Sequence, residues 1–290
     1  MKARILILCA AFVLCNAAIG DTTIDVSHHN AYGANIGWLD ARGDITHGAV
    51  IGQLYCTGYI YSANCGWISL GNGPTNGYHY GNTGASDWGV NHDGEGNLTG
   101  YAYGANIGWI NFEQNYGKPR VDLDTGNLGG YIWSANCGWI SLSNMQACAR
   151  TTTLAEGPDS DGDGIPDAWE YSKVGGLSVL SGSGHDEDGD GVSDAEEYIA
   201  DTDPDSDGSL LEIITVNSVG NRTNEVTWSS ESTRFYRIER NDCLTNTASW
   251  TDCGLGKIPS DGGLITTRAV VNTNSGSLFY RVKAMLPLTP

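Results

Sequence analysis

What this 290-residue chain lacks above all is positive charge: 15 Lys and Arg stand against 34 Asp and Glu, for a formal charge of −19. So few cations leave no basic face for nucleic acid, and an anionic membrane surface would repel the acidic segment from Glu156 to Glu212 unless a divalent cation intervened. Past the first twenty residues no apolar stretch approaches the roughly 20 residues of a membrane-spanning helix, so no integral membrane segment is expected once those residues are removed. Also missing are a Cys-x-x-Cys pair, a Gly-x-Ser-x-Gly elbow and a His-Glu-x-x-His pair. Their absence argues against structural zinc and against two common hydrolase designs. No catalytic constellation can be assembled, and a non-enzymatic protein is expected. Paired carboxylates such as Asp93, Glu113 or Asp124 leave a glycoside hydrolase as a minor alternative.

The first twenty residues carry Lys2 and Arg4, an apolar run from Ile5 to Val13 and small residues at Ala17, Ala18 and Gly20. This is the layout of a secretory signal peptide, and it places the mature protein outside the cell or on its surface. Six cysteines remain: Cys56, Cys65, Cys137, Cys148, Cys243 and Cys253. An even set in an exported chain favours disulfides. Short spacings point to three local bridges, and the alternative joins Cys65 to Cys137, which hold equivalent places in a repeat.

Residues 21–150 repeat themselves. Tyr32–Trp38 (YGANIGW), Tyr61–Trp67 (YSANCGW), Tyr103–Trp109 (YGANIGW) and Trp133–Trp139 (WSANCGW) align, and Ile alternates with Cys at one position. The spacings describe a duplicated double unit of about 71 residues, which points to a stacked or radial β architecture: sandwich, solenoid or propeller. One Trp and one Tyr per repeat, at fixed register beside Gly, are expected to fill the core of a small β unit. Stacking on sugar rings is the alternative. Asn35, Asn64, Asn106 and Asn136 are expected to satisfy local backbone groups at turns, and His28 and His29 to be solvated. These segments resemble tryptophan- and glycine-rich repeats of exported bacterial surface proteins, a resemblance that implies location rather than activity.

The acidity is concentrated. Between Glu156 and Glu212 lie 18 acidic residues and one base, Lys173. Within this segment DSDGDGIPDAWE (Asp159–Glu170) and DEDGDGVSDAEE (Asp186–Glu197) each set carboxylates at positions 1, 3, 5, 9 and 12 of a twelve-residue loop, with Gly at 6, as an EF-hand calcium loop requires. The first loop offers Asp159, Asp161, Asp163, the Ile165 carbonyl, Asp167 and Glu170. The second offers Asp186, Asp188, Asp190, the Val192 carbonyl, Asp194 and Glu197. Two Ca²⁺ ions are expected, because flexible loops of hard oxygen donors suit Ca²⁺ better than Mg²⁺. Asp201, Asp203, Asp205 and Asp207 form a partial third array of supplementary ligands. A short helix should follow each loop, begun at Pro166 and Ser193 and, for the first, ended at Gly175-Gly176. The segment resembles thrombospondin type 3 calcium repeats and related EF-hand-like linkers of secreted bacterial proteins. A dockerin is the rival resemblance, opposed by the short helices.

From Leu211 onward six short strands separated by Asn, Gly and Ser clusters predict a β-sandwich. Trp228, Phe235–Arg237 and Phe279–Arg281 resemble a fibronectin type III-like module. The fold class is thus mainly β, in four parts: 1–20, 21–150, 156–210 and 211–290. The expected function is a secreted, calcium-binding surface or adhesion protein in which Ca²⁺ stiffens the joint between two β domains. The partners are calcium and a glycan or another surface protein. The alternative is carbohydrate binding through the Tyr and Trp of the repeats.

Overall fold

Alternation within each repeat decides the N-terminal fold. In a strand, neighbours point to opposite faces, so Ile60 and Ile68 of Y-I-Y-S and G-W-I-S face one way while Tyr61 and Trp67 face the other. The computed structural model describes residues 22–289 apart from 147, 221, 244–249 and 273–277; the expected signal peptide lies outside the described residues. Two compact units emerge. One comprises residues 22–162, Pro166–Leu177 and 288–289; the other comprises Asp163–Ile165 and Ser178–Pro287. The protein is mainly β, with two short α-helices between its β regions.

In the first unit each repeat is a hairpin. The four are Ile24–Gly33 with Gly37–Asp40, Tyr59–Ser62 with Gly66–Ser69, Leu98–Gly104 with Gly108–Asn111, and Tyr131–Ser134 with Gly138–Ser141. Consecutive hairpins pair through Asp40↔Tyr61, Ile68↔Gly104 and Ile110↔Ser134, and the last returns to the first through Ile140↔Gly33. The result is a closed antiparallel barrel of eight strands rather than a stack or a set of blades. A four-residue hairpin cannot bury its apolar face alone, and closure hides that face while removing both sheet edges. Inside, Ala31, Ile60, Ala102 and Ile132 lie opposite Leu39, Ile68, Ile110 and Ile140, and all eight are buried.

The same register puts the tryptophans outside. Trp38, Trp67, Trp109 and Trp139 are 45–51% exposed, so they do not fill the core as expected. Each instead meets the aromatic opposite it in its hairpin, with centroids 5.2, 4.8, 4.9 and 5.1 Å apart.

The alternation of Ile and Cys has a packing cause. Ile36, Cys65, Ile107 and Cys137 are all buried at the hairpin-turn end. Where the turn carries Ile, the residue three before it is glycine: a Cβ on Gly33 would lie 2.8 Å from Cγ1 of Ile36, and one on Gly104 would lie 2.8 Å from Cγ1 of Ile107. Where the turn carries the smaller Cys, that place holds buried Ser62 or Ser134. The residue after each Ile or Cys is a left-handed Gly with φ between 72° and 77°, a conformation that suits Gly where the chain turns back into the ladder.

The four Asn side chains do satisfy backbone groups, though not local ones. Asn64 Nδ2 donates to Ile36 O (3.0 Å), Asn106 to Cys65 O (3.2 Å), Asn136 to Ile107 O (3.0 Å) and Asn35 to Cys137 O (3.0 Å). Each reaches the preceding hairpin, and Asn35 closes the circle. A net gain of about 1 kcal/mol per bond is typical.

None of the six cysteines among the described residues is joined in a disulfide. The barrel coheres by its ladder, its core and the Asn ring instead, and burial pushes the Cys56 thiol up to about 12.

In the second unit, Ile213–Gly220, Thr223–Ser229 and Ile265–Val271 form one sheet. Phe235–Asn241 pairs with Phe279–Met285 and with short strands at Thr251–Asp252 and Ile258–Pro259 to form the other. Val226, Trp228 and Val270 pack against Tyr236, Ile238 and Val282 between them, giving the expected sandwich.

The Gly/Ile and Ser/Cys pairing predicts non-additive stability. Gly104→Ser should overpack the turn and cost about 1–3 kcal/mol, and adding Ile107→Cys should recover most of it. Denaturant midpoints of the single and double variants check this.

Candidate metal centre

The acidic loops are shaped by their own backbones. In the first, Asp159 Oδ1 accepts from Gly162 N and Asp163 Oδ1 from Ile165 N, both at 2.8 Å. In the second, Asp186 Oδ1 accepts from Gly189 N (2.8 Å) and Asp190 Oδ1 from Val192 N (2.7 Å). Glycines at loop positions 4 and 6 are left-handed in both, with φ of 78° and 94° at Gly162 and Gly164 and of 76° and 95° at Gly189 and Gly191. A residue with Cβ is strained there, so the D-x-D-G-D-G spelling is the spelling of a turn as well as of a ligand set. The turn gathers Asp159, Asp161 and Asp163, and separately Asp186, Asp188 and Asp190, with one carboxylate oxygen from each within 4.8 Å of the others in its triad.

A helix carries the twelfth position of each loop. The first, α1, runs Asp167–Lys173, so Pro166 is its N-cap rather than its first helical residue as expected. The second, α2, runs Asp194–Ala200; Glu196 Oε2 accepts from Ser193 N (3.1 Å) and Ser193 Oγ (2.9 Å), a reciprocal cap. Glu170 and Glu197 are fully buried.

The second loop is where the electrostatics are sharpest. Asp188 Oδ2, Asp190 Oδ2 and Glu197 Oε2 are buried with no hydrogen-bond partner, while Glu197 Oε1 accepts from Thr202 Oγ1 at 3.1 Å. Burial pushes Glu197 up to about 8, helped by the charges of Asp188, Asp190 and Asp194. Burial likewise raises Asp190, with Asp188, Asp186 and Asp207 adding to it. Three buried, unpartnered carboxylate oxygens beside one another are the arrangement least tolerable without a cation. Their hardness and number fit a calcium ion. The family model of the bacterial TSP3 repeat matches here, at residues 159–172 and 186–204. No curated protein and no solved structure matches the chain.

The ninth position of each repeat does something the ligand pattern does not announce. Asp167 accepts from Ser160 N and Ser160 Oγ, both at 2.6 Å. Asp194, fully buried, accepts from Ser181 N (2.9 Å), Glu187 N (3.1 Å) and His185 Nδ1 (2.9 Å). Both fasten the start of their loop to the helix that follows it. His185 and Thr202 escaped sequence reasoning, and only their places, one before the second loop and five after Glu197, could have flagged them. Of the supplementary acids, Asp207 lies near enough to Asp190 to raise it. Asp201 is engaged elsewhere, since its carboxylate accepts from Thr233 Oγ1 and pairs with Arg234 Nη1 at 3.6 Å. Asp203 Oδ1 accepts from Asp205 N at 3.3 Å, in a local turn.

Each repeat is also tied to its own unit. Tyr171 of α1 lies against Gly77 of the barrel unit, where an added Cβ would come within 2.6 Å of the ring. Buried Arg234 of the sandwich donates to the carbonyls of Tyr198 (2.8 Å) and Ile199 (2.9 Å), at the negative end of α2.

Glu197→Gln removes charge from a site that only a cation offsets. It should weaken calcium binding by at least about tenfold in a calorimetric titration while leaving the melting temperature in chelator unchanged or higher.

Proposed function

We propose that the protein is an exported, non-enzymatic surface or adhesion protein whose two TSP3-type loops bind Ca²⁺, and that the ions stiffen the segment joining barrel and sandwich. The observation that carries this is the trio of buried, unpartnered oxygens on Asp188, Asp190 and Glu197. Two ions would be held, one by Asp159, Asp161, Asp163, the Ile165 carbonyl and Glu170. The other would be held by Asp186, Asp188, Asp190, the Val192 carbonyl and Glu197, with Asp207 beside it. Asp167 and Asp194 would hold the loops in shape. Export supports the reading, because calcium outside the cell is plentiful and suits a permanent structural ion better than a switch. Among the described residues no helix is long and apolar enough to cross a membrane.

A second reading, ligand binding through the Tyr and Trp of the repeats, is favoured by the exposure of those rings.

Terbium titration tests the calcium reading. Trp169 lies within the first loop and is buried at 4% exposure, so excitation of tryptophan should sensitise bound Tb³⁺ and Ca²⁺ should quench the emission by competition. Absence of calcium-competable emission would overturn it.

A further inference from the structure

We propose that the barrel binds a neutral polysaccharide chain on its outer face, through four related aromatic sites, one per hairpin; this rests on the second reading above. The site is a constellation rather than a lone ring. Register places a small polar side chain of each hairpin directly across from an aromatic of the next: Asp40 beside Tyr61, Ser69 beside Tyr103, Asn111 beside Trp133 and Ser141 beside Tyr32. The aromatic so placed is also the partner of its own hairpin's Trp. Tyr61 meets Trp67 at 4.8 Å and Trp133 meets Trp139 at 5.1 Å. Each unit therefore offers two rings, held edge to face or tilted, with Asp40, Ser69 or Asn111 at the side of three of the four pairs. In the third hairpin Trp88 also stands edge to face with Trp109 at 5.2 Å, and in the fourth interface Ser141 is buried and donates to Ser143 O. A pyranose is matched by this pairing: its C–H face stacks on the ring, and its hydroxyls bond to the polar neighbour.

Other partners fit less well. The eight barrel strands contain no Lys or Arg, so a polyanion, whether nucleic acid, acidic glycan or anionic lipid, meets no countercharge. The paired outward positions around the hairpin turns hold Tyr and Trp with Asn, Asp and Ser and no aliphatic residue, whereas Ile, Leu and Ala occupy the inward positions. A protein or bilayer interface draws on aliphatic side chains as well. The rings also encircle a closed barrel, so a flat surface can touch only one sector at a time. A flexible chain can follow several sites in turn and gain by multivalency.

Native gel electrophoresis of the intact, calcium-loaded protein through gels containing xyloglucan, galactomannan or mixed-linkage β-glucan tests the proposal. The expected result is retardation by at least one, weakened about 3–10-fold by Trp67→Ala or Trp139→Ala alone and abolished when Trp38, Trp67, Trp109 and Trp139 are all replaced by Ala. These rings lie outside the core, and a retained circular dichroism melt shows that the fold survives. Retardation that persists in the fourfold variant overturns the proposal. If no gel retards the protein but phosphatidylcholine vesicles or a second copy bind through the same tryptophans, the glycan falls and ligand binding by the rings stands. If neither glycan, vesicle nor second copy binds, both fall.

Discussion

Repulsion among buried carboxylates is the constraint on which the middle of this protein depends. Asp188, Asp190 and Glu197 each hold an oxygen away from water and from any donor, and a carboxylate in that position favours its neutral form. Glu197 is accordingly pushed up to about 8. The glycine turns and the ninth-position Asp residues gather the acids rather than separating them, so the folded loop works against this repulsion. A divalent ion is the remaining relief, and binding it is then part of the folding free energy of the segment.

The two flanking units depend on different physics. In the barrel, apolar side chains fill the interior, every one of the eight strands has two neighbours, and the Asn ring stitches hairpin to hairpin at one end. The sandwich closes over Trp228 and Tyr236 and reaches back through Arg234 to hold the end of α2. On the proposed reading calcium would act between these two cores, in a segment that carries 18 of the protein's 34 acidic residues.

Much of this was legible in the sequence, for reasons that differ by element. The acidic loops were legible because their Asp and Gly residues are local in sequence, so spacing alone determines the turn. The repeats and the mainly β class were legible because hairpin signals are local too. What spacing could not supply was the face each residue would take. One step of register exchanges inside for outside, and Trp67 stands outside because Ile60 and Ile68 take the interior. Closure was equally hidden, since the Asn35 to Cys137 contact joins the first hairpin to the last. None of the expected disulfides appears, and Cys65 and Cys137 instead serve as small buried residues beside Ser62 and Ser134. Asp167 and Asp194 were legible as ninth-position carboxylates, but their hydrogen bonds to loop amides were not, because the spacing does not reveal which groups a carboxylate faces.

The central claim is that the acidic segment takes its shape only with a cation bound. Amide hydrogen exchange on the intact protein, in chelator and in millimolar Ca²⁺, measures this most directly. Calcium should slow exchange from Asp186 to Thr202 by orders of magnitude while the amides of the barrel hairpins remain unchanged. Equal protection of that segment in both conditions would contradict the account.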